Sequence, residues 1–321
     1  MSELHVVLGA TGATGRQVVA ELLRRGHRVR AVHRGGNGRF PDGVEVVAGD
    51  AADAARMIEI CAGATTVHSC ILPAFDRWME EFPAALRGCI AGAGAAGATL
   101  TFADDTWMYG RMTEAMTEST PVAPVSNRGA LRAWFAEILF GAHARGEVRV
   151  VIARAGELYG PGVTSLLDGR IFKPAAAGRP VIYLGDPDMP LTPTFIGDFA
   201  RTLVTLGEQD DESVLGRVWH VPHPMQTTAR EFIGEIGRQC GTTPRLVPVP
   251  VGAVRPLGLV SPLARQGAEI LYQFTMPFVV NGMAFTTSFG EQPTSYTNGI
   301  AATLADMRLN VRDPRAAPVG A

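Results

Sequence analysis

The segment Gly9-Ala-Thr-Gly12-Ala-Thr-Gly15 constrains what this chain can fold into more than any other stretch. An apolar run, Leu4 to Leu8, precedes it. A helical pattern, Arg16 to Arg25, follows, with Val18, Val19, Leu22 and Leu23 on one face and Gly26 as its stop. Glycines three apart between a strand and a helix meet three backbone needs: a tight turn at Gly9, close approach of a ligand at Gly12, and close helix–strand packing at Gly15. The helix start then offers unpaired N–H groups and a positive dipole end, which together hold an anion such as a pyrophosphate. The loop predicts a dinucleotide site, with Gly9, Thr11, Gly12, Ala13, Thr14 and Gly15 around the phosphates.

Downstream, short apolar runs alternate with longer helical patterns. Strands are expected at Val29–Val32, Val44–Val47, Thr66–Ser69, Thr99–Phe102 and Val148–Ala153, and helices at Ala52–Cys61, Phe82–Ala95 and Ala130–Ala142. This alternation predicts an α/β fold, a Rossmann-type doubly wound parallel sheet. Beyond residue 156 prolines and glycines interrupt the pattern. The expected division is a dinucleotide-binding domain over 1–155, with segments near 194–222 returning to it, and a smaller C-terminal substrate-binding part over 156–321.

A length of 321 residues is enough for two structural units with a large core. The net charge of -2 argues against nucleic acid or an anionic membrane as partner. The apolar opening run is too short to span a bilayer or serve as a leader, so a cytoplasmic protein is expected. Cys61, Cys70, Cys89 and Cys240 have no ligand spacing and read as reduced thiols. His220 and His223 flank a proline without a third ligand, so no metal is expected. Lys173 is the only lysine, and the Ala-, Gly- and Arg-rich composition is that of a GC-rich genome.

The end of the second strand bears on cofactor choice. A site for NAD usually ends that strand with a carboxylate on the ribose hydroxyls. Here His33 and Arg34 stand there, and a guanidinium suits a 2′-phosphate. NADPH is the expected cofactor.

With Gly9, Gly12 and Gly15, the chain resembles atypical extended short-chain dehydrogenases/reductases, the group of NAD-dependent epimerases and dehydratases. Further matching segments are Gly49-Asp50, Val67-His68-Ser69-Cys70-Ile71, Met108-Tyr109-Gly110, and Arg154 through Tyr159-Gly160-Pro161-Gly162. The resemblance implies that Asp50 and Ala51 lie at the adenine, Cys70 and Ile71 on the ribose side, and Leu158 along the cofactor. It also implies a Ser/Thr, Tyr and Lys as the catalytic set. At those positions this chain carries Asp105, Arg128 and Arg132. Arginine does not titrate near neutral pH, so the family's tyrosine mechanism is excluded at Arg128. Some actinobacterial ketoreductases of polyketide antibiotic biosynthesis share this lack of the tyrosine and lysine.

Three readings follow. One is an NADPH-dependent ketoreductase for a bulky apolar or aromatic small molecule, with Asp105, Tyr109, Arg128 and Arg132 as candidate catalytic residues. A second is an inactive NADP-binding sensor or scaffold. The third is a sugar-nucleotide epimerase or dehydratase with displaced acid/base groups. The apolar side chains Met189, Phe195, Trp219, Met225, Phe274, Met276, Phe278 and Met283 are candidate lining for the substrate. Asp104-Asp105 reads as a proton-sharing pair with one raised pKa or, more simply, as two solvated loop carboxylates, and the sequence leaves the oligomeric state open.

Overall fold

A computed structural model describes residues 3–36, 38–164, 168–254 and 268–312. Strands β1 (Leu4–Leu8), β2 (Arg28–His33), β3 (Glu45–Ala48), β4 (Thr66–Ser69), β5 (Thr99–Asp104) and β6 (Arg149–Arg154) form one parallel sheet, and β11 (Val218–His220) is added at its edge. The order is β3-β2-β1-β4-β5-β6-β11. It reverses direction between β1 and β4, which opens a crevice at the carboxyl ends of these strands.

Alternation along each buried strand divides the core between two faces. Val6, Leu8, Val67, Leu100 and Ile152 join one apolar cluster, under α2 (Ala54–Cys61), α3 (Trp78–Ala96) and α4 (Asn127–Ala144). Val7, Val29, Ala31, Val151 and Ala153 join the other, with α1 (Ala13–Arg24) and α6 (Ile196–Gly207). Caps set the helix starts earlier or later than periodicity indicates. Asp53 accepts from the Arg56 N–H and moves the start of α2 to Ala54. Ser126 accepts from the Gly129 N–H, so α4 begins at Asn127 and takes in Arg128.

Beyond β6, short two-stranded pairs and the one-turn helix α5 (Lys173–Ala176) replace the regular alternation. The pairs are β7 (Leu158–Tyr159) with β10 (Thr194–Phe195), β8 (Val181–Leu184) with β13 (Leu246–Val249), and β9 (Pro190–Leu191) with β12 (Thr227–Thr228). Helix α7 (Ala229–Cys240) carries a reciprocal cap between Thr228 and Glu231 and packs on Tyr159 and Phe172. Trp219, an expected lining residue, is core instead: its ring meets Phe285 and Phe289 beneath the sheet. Among the described residues no helix is long and apolar enough to cross a membrane.

Candidate functional site

The glycine loop closes the carboxyl end of β1. Gly9 has φ 74°, and a Cβ there would lie 2.7 Å from the Cys70 carbonyl oxygen. At Gly15 a Cβ would lie 2.3 Å from the Gly9 oxygen, so this glycine is required by the protein's own packing. Gly12 differs. Its Cβ would meet only the Gly9 oxygen, at 3.3 Å, and the rest of its surroundings are open. Gly12 is also the N-cap of α1, with no side-chain cap and no acidic residue in the first turn. The helix start keeps N–H donors and a positive dipole end for a bound anion. The residues present therefore fit a dinucleotide pyrophosphate.

Thr11, Ala13 and Thr14 surround Gly12 in this turn, and a Cβ added at Gly162 would lie 3.9 Å from the Ala13 Cβ. Cys70 and Ile71 continue β4 beside Gly9, and the Cys70 N–H donates to the Leu8 carbonyl at 3.0 Å. Leu158 packs against the apolar cluster that holds Ala10 and Cys70. Asp50 accepts from the Ala52 N–H at 2.9 Å, holding Ala51 at the exit of β3. His33 ends β2, and its Nδ1 accepts from the Gly35 N–H. The Arg34 side chain is 66% exposed and only loosely paired, 3.5 Å from Glu81.

A second set of residues gathers where β5 meets α4. The Arg154 Nε donates to Asp104 Oδ2 at 2.9 Å, and its NH1 donates to the Tyr109 hydroxyl at 2.9 Å. Arg132 NH1 lies 3.4 Å from Asp104 Oδ1. Its Nε lies 2.9 Å from Asp105 Oδ2 but off the N–H axis, an ion pair rather than a hydrogen bond. The rings of Trp78 and Phe82 stand 4.6 and 4.9 Å from the Arg132 guanidinium carbon. Asp104 is buried, not solvated, because two guanidiniums replace the water it would otherwise need. Tyr109 is buried as well. Its hydroxyl is engaged by Arg154 and, at 2.7 Å, by His220 Nε2.

Asp105 is the member of the cluster that reaches outward, with 21% of its side chain exposed. Burial, reinforced by the neighbouring Asp104, pushes its carboxyl up to about 6 against the pull of Arg132. Its Oδ1 accepts from the Trp107 N–H. Arg128, one helical turn before Arg132, lies over the Phe75 ring at 3.6 Å, donates to the Phe75 carbonyl and approaches Glu269 at 3.5 Å. Trp78 and Trp107 stack at 5.6 Å, and Phe75 meets both rings edge-on. The four candidates Asp105, Tyr109, Arg128 and Arg132 thus share one corner, where Asp105 and the Phe75 and Trp107 rings are partly open to solvent and Trp78 is buried behind them.

Sequence reasoning missed four neighbours. Tyr272 donates its hydroxyl to the Trp107 carbonyl at 3.4 Å, and burial together with Asp105 pushes this phenol up to about 12. Glu118 accepts from the His220 N–H at 3.0 Å. Phe75 and Trp78 supply the wall. None lies at a motif spacing from Asp105, so no local signal linked them to it. His223, by contrast, is spent on the carbonyls of Pro224 and Val280.

Solved structures share this architecture. A dTDP-glucose 4,6-dehydratase from Streptomyces venezuelae, with NAD bound, superposes with a TM-score of 0.75 at 18% identity, covering 97% of this chain and 99% of that one. A UDP-glucose 4-epimerase from Thermus thermophilus, also with NAD, gives 0.71 at 20% identity over 95% and 99%. A divinyl chlorophyllide a 8-vinyl-reductase of Zea mays is 38% identical over 111 residues, which span 29% of this chain and 28% of that protein. The family model for NAD dependent epimerases/dehydratases matches residues 5–221, from β1 through the end of the sheet. With a dinucleotide cradle and a parallel sheet of this order, the chain belongs to the NAD dependent epimerase/dehydratase family.

Proposed function

We propose that the protein is an NADPH-dependent reductase of a ketone on a flat, apolar, aromatic small molecule, an atypical family member without the tyrosine and lysine. The observation that carries this reading is the Asp105 carboxyl: pushed up to about 6, exposed on one edge, and standing beside the Phe75–Trp78–Trp107 wall. A carboxyl with a pKa near neutrality, in place of a hydroxyl, serves as a proton donor.

NADPH, when bound, supplies the hydride for the carbonyl carbon. Protonated Asp105 gives its proton to the carbonyl oxygen as charge builds there, and the new carboxylate is held by Arg132. Arg128, fixed flat on Phe75, offers its guanidinium charge to the same oxygen without transferring a proton. Asp105 is reprotonated through its exposed edge. Arg34, just past the end of β2 and only loosely paired with Glu81, takes the 2′-phosphate.

The deciding measurement is ketone-dependent oxidation of NADPH with a polycyclic aromatic ketone. Asp105→Asn and Arg128→Ala are each expected to lower kcat on the order of a hundredfold. Tyr109→Phe costs less, since its hydroxyl serves Arg154 and His220. Turnover should fall as pH rises through about 6, where Asp105 loses its proton.

One feature favours a sensor instead: Asp104, Arg132, Arg154 and Tyr109 are all committed to one another. Absence of turnover across a ketone panel, with NADPH still bound, would decide for the sensor. Turnover of a nucleotide sugar but of no ketone would decide for an epimerase or dehydratase.

A further inference from the structure

Three side chains converge at the amino end of β1, the end opposite Gly9. Glu3, His5 and His27 each present one ligand atom, and these atoms lie within 4.8 Å of one another. His5 Nε2 and Glu3 Oε2 are 3.7 Å apart. A tetrahedron with metal–ligand bonds of about 2.0–2.1 Å has edges of about 3.4 Å. Each residue is anchored by its backbone. The Glu3 carbonyl accepts from the Arg28 N–H, His5 pairs with Val29 inside the sheet, and the His27 N–H donates to Leu22 after α1.

His5 is fully buried, yet its Nε2 has no hydrogen-bond partner. Leaving a buried polar group unsatisfied is costly, so this nitrogen points to a missing ligand. The rest of its bonding agrees. His5 Nδ1 is 3.0 Å from His68 Nε2, and His68 Nδ1 is 2.8 Å from the Thr101 hydroxyl. When His5 donates its Nδ1–H to His68, and His68 donates to Thr101, the lone pair of His5 Nε2 faces the Glu3 carboxylate. Lone pair against carboxylate is repulsive unless a cation sits between them. On His27, Glu208 engages Nε2 at 2.8 Å, so a metal here would take Nδ1. A metal-bound histidine typically gives its second N–H to such a partner, which fixes the tautomer and orients the ring. The nearby Arg25 charge is offset by Glu21 at 2.8 Å and Glu208 at 2.6 Å.

We propose that Glu3, His5 and His27 form a Zn(II) site, with water in the remaining position. Two imidazoles and one carboxylate suit zinc and disfavour magnesium or calcium, which take all-oxygen sets. The site is structural. It clamps the start of β1 to the turn after α1 and, through Glu208, to the end of α6.

The test uses the untagged full chain, stripped with a chelator and titrated with zinc chloride against a chromophoric competitor. One equivalent is expected to bind, and Tm to rise as the metal binds the native state. Magnesium chloride should leave Tm unchanged. His27→Gln and Glu3→Gln alter side chains outside the core, and each should weaken zinc by about a hundredfold or more. Glu208→Gln should weaken it by about 10–100-fold, through the lost support of His27 and the Arg25 charge it no longer offsets. Dinucleotide binding, at the other end of β1, serves as the folding control in each variant. Substoichiometric zinc, or equal zinc affinity in wild type, His27→Gln and Glu3→Gln, would overturn the proposal.

Discussion

The glycine loop and the β5–α4 corner lie on the same edge of the sheet but are built on opposite principles. The loop works through what is absent: no Cβ at Gly12, no side-chain cap and no acid on the first turn of α1. The corner works through what is present, with Asp104, Arg132 and Arg154 packed among aromatic rings and nearly cut off from water, and Asp105 at their outer edge. A site made of backbone is tolerant of its surroundings. A site made of buried charge is stable only while every partner remains, because a lone charge left in the core is costly.

Substitution should separate the two most strongly at Asp104. Asp104→Ala strands the Arg154 and Arg132 guanidiniums and is expected to cost about 3–5 kcal/mol of stability. Urea denaturation checks this through a lower midpoint at unchanged m. An unchanged midpoint would show that the two arginines find other partners. Gly12→Val tests the loop. Dinucleotide affinity should fall by about a hundredfold or more while the fold is retained, since the β-carbon meets only the Gly9 oxygen. Gly15→Val should lose both affinity and stability, because its Cβ would collide with the Gly9 and Ala10 backbone. Equal stability losses for the two variants would erase the distinction between a ligand-facing and a packing glycine.

The same contrast decides how much was legible beforehand. Glycine spacing and strand–helix alternation are local signals, and they located the parallel sheet and the strand–turn–helix around Gly12. The corner depends on partners far apart in the chain. Asp104 pairs with Arg132 and Arg154, and Tyr109 with His220, across separations no periodicity encodes. Burial of Asp104 was therefore invisible, as were Tyr272 and the Phe75–Trp78 wall. The His5–His68 contact escaped notice for a related reason: each residue alone looks like an ordinary strand position, and only β1–β4 pairing brings them side by side.

Arg34 sharpens the reading of the loop. Its side chain is exposed and loosely held, so removing it disturbs nothing else. Arg34→Ala should weaken NADPH by ~1.5–3 kcal/mol, the scale of a hydrogen bond to a charged group, and leave NADH nearly unchanged. Isothermal titration with both cofactors measures the difference. Equal losses would remove Arg34 as the phosphate reader.

The smallest expected effect concerns the pH dependence of stability at Asp105. Its carboxyl is raised from 3.8 to about 6 in the folded chain. Between those values the native state holds a proton that the unfolded chain has released. The group's stabilising contribution is therefore complete below the unfolded pKa and is lost as pH rises through about 6. Buried histidines pull the other way. Burial holds both His5 and His220 near 4, so their contribution is present above the unfolded histidine pKa and lost as pH falls through about 4. The raw stability curve mixes these slopes, but Asp105→Asn removes one of them and keeps the shape of the side chain. Subtracting the two curves between pH 4 and pH 7 should leave a wild-type advantage that shrinks steadily as pH rises. A difference that is flat, or that grows with pH, would mean that Arg132 holds Asp105 ionised throughout, and the corner would contain no proton to give.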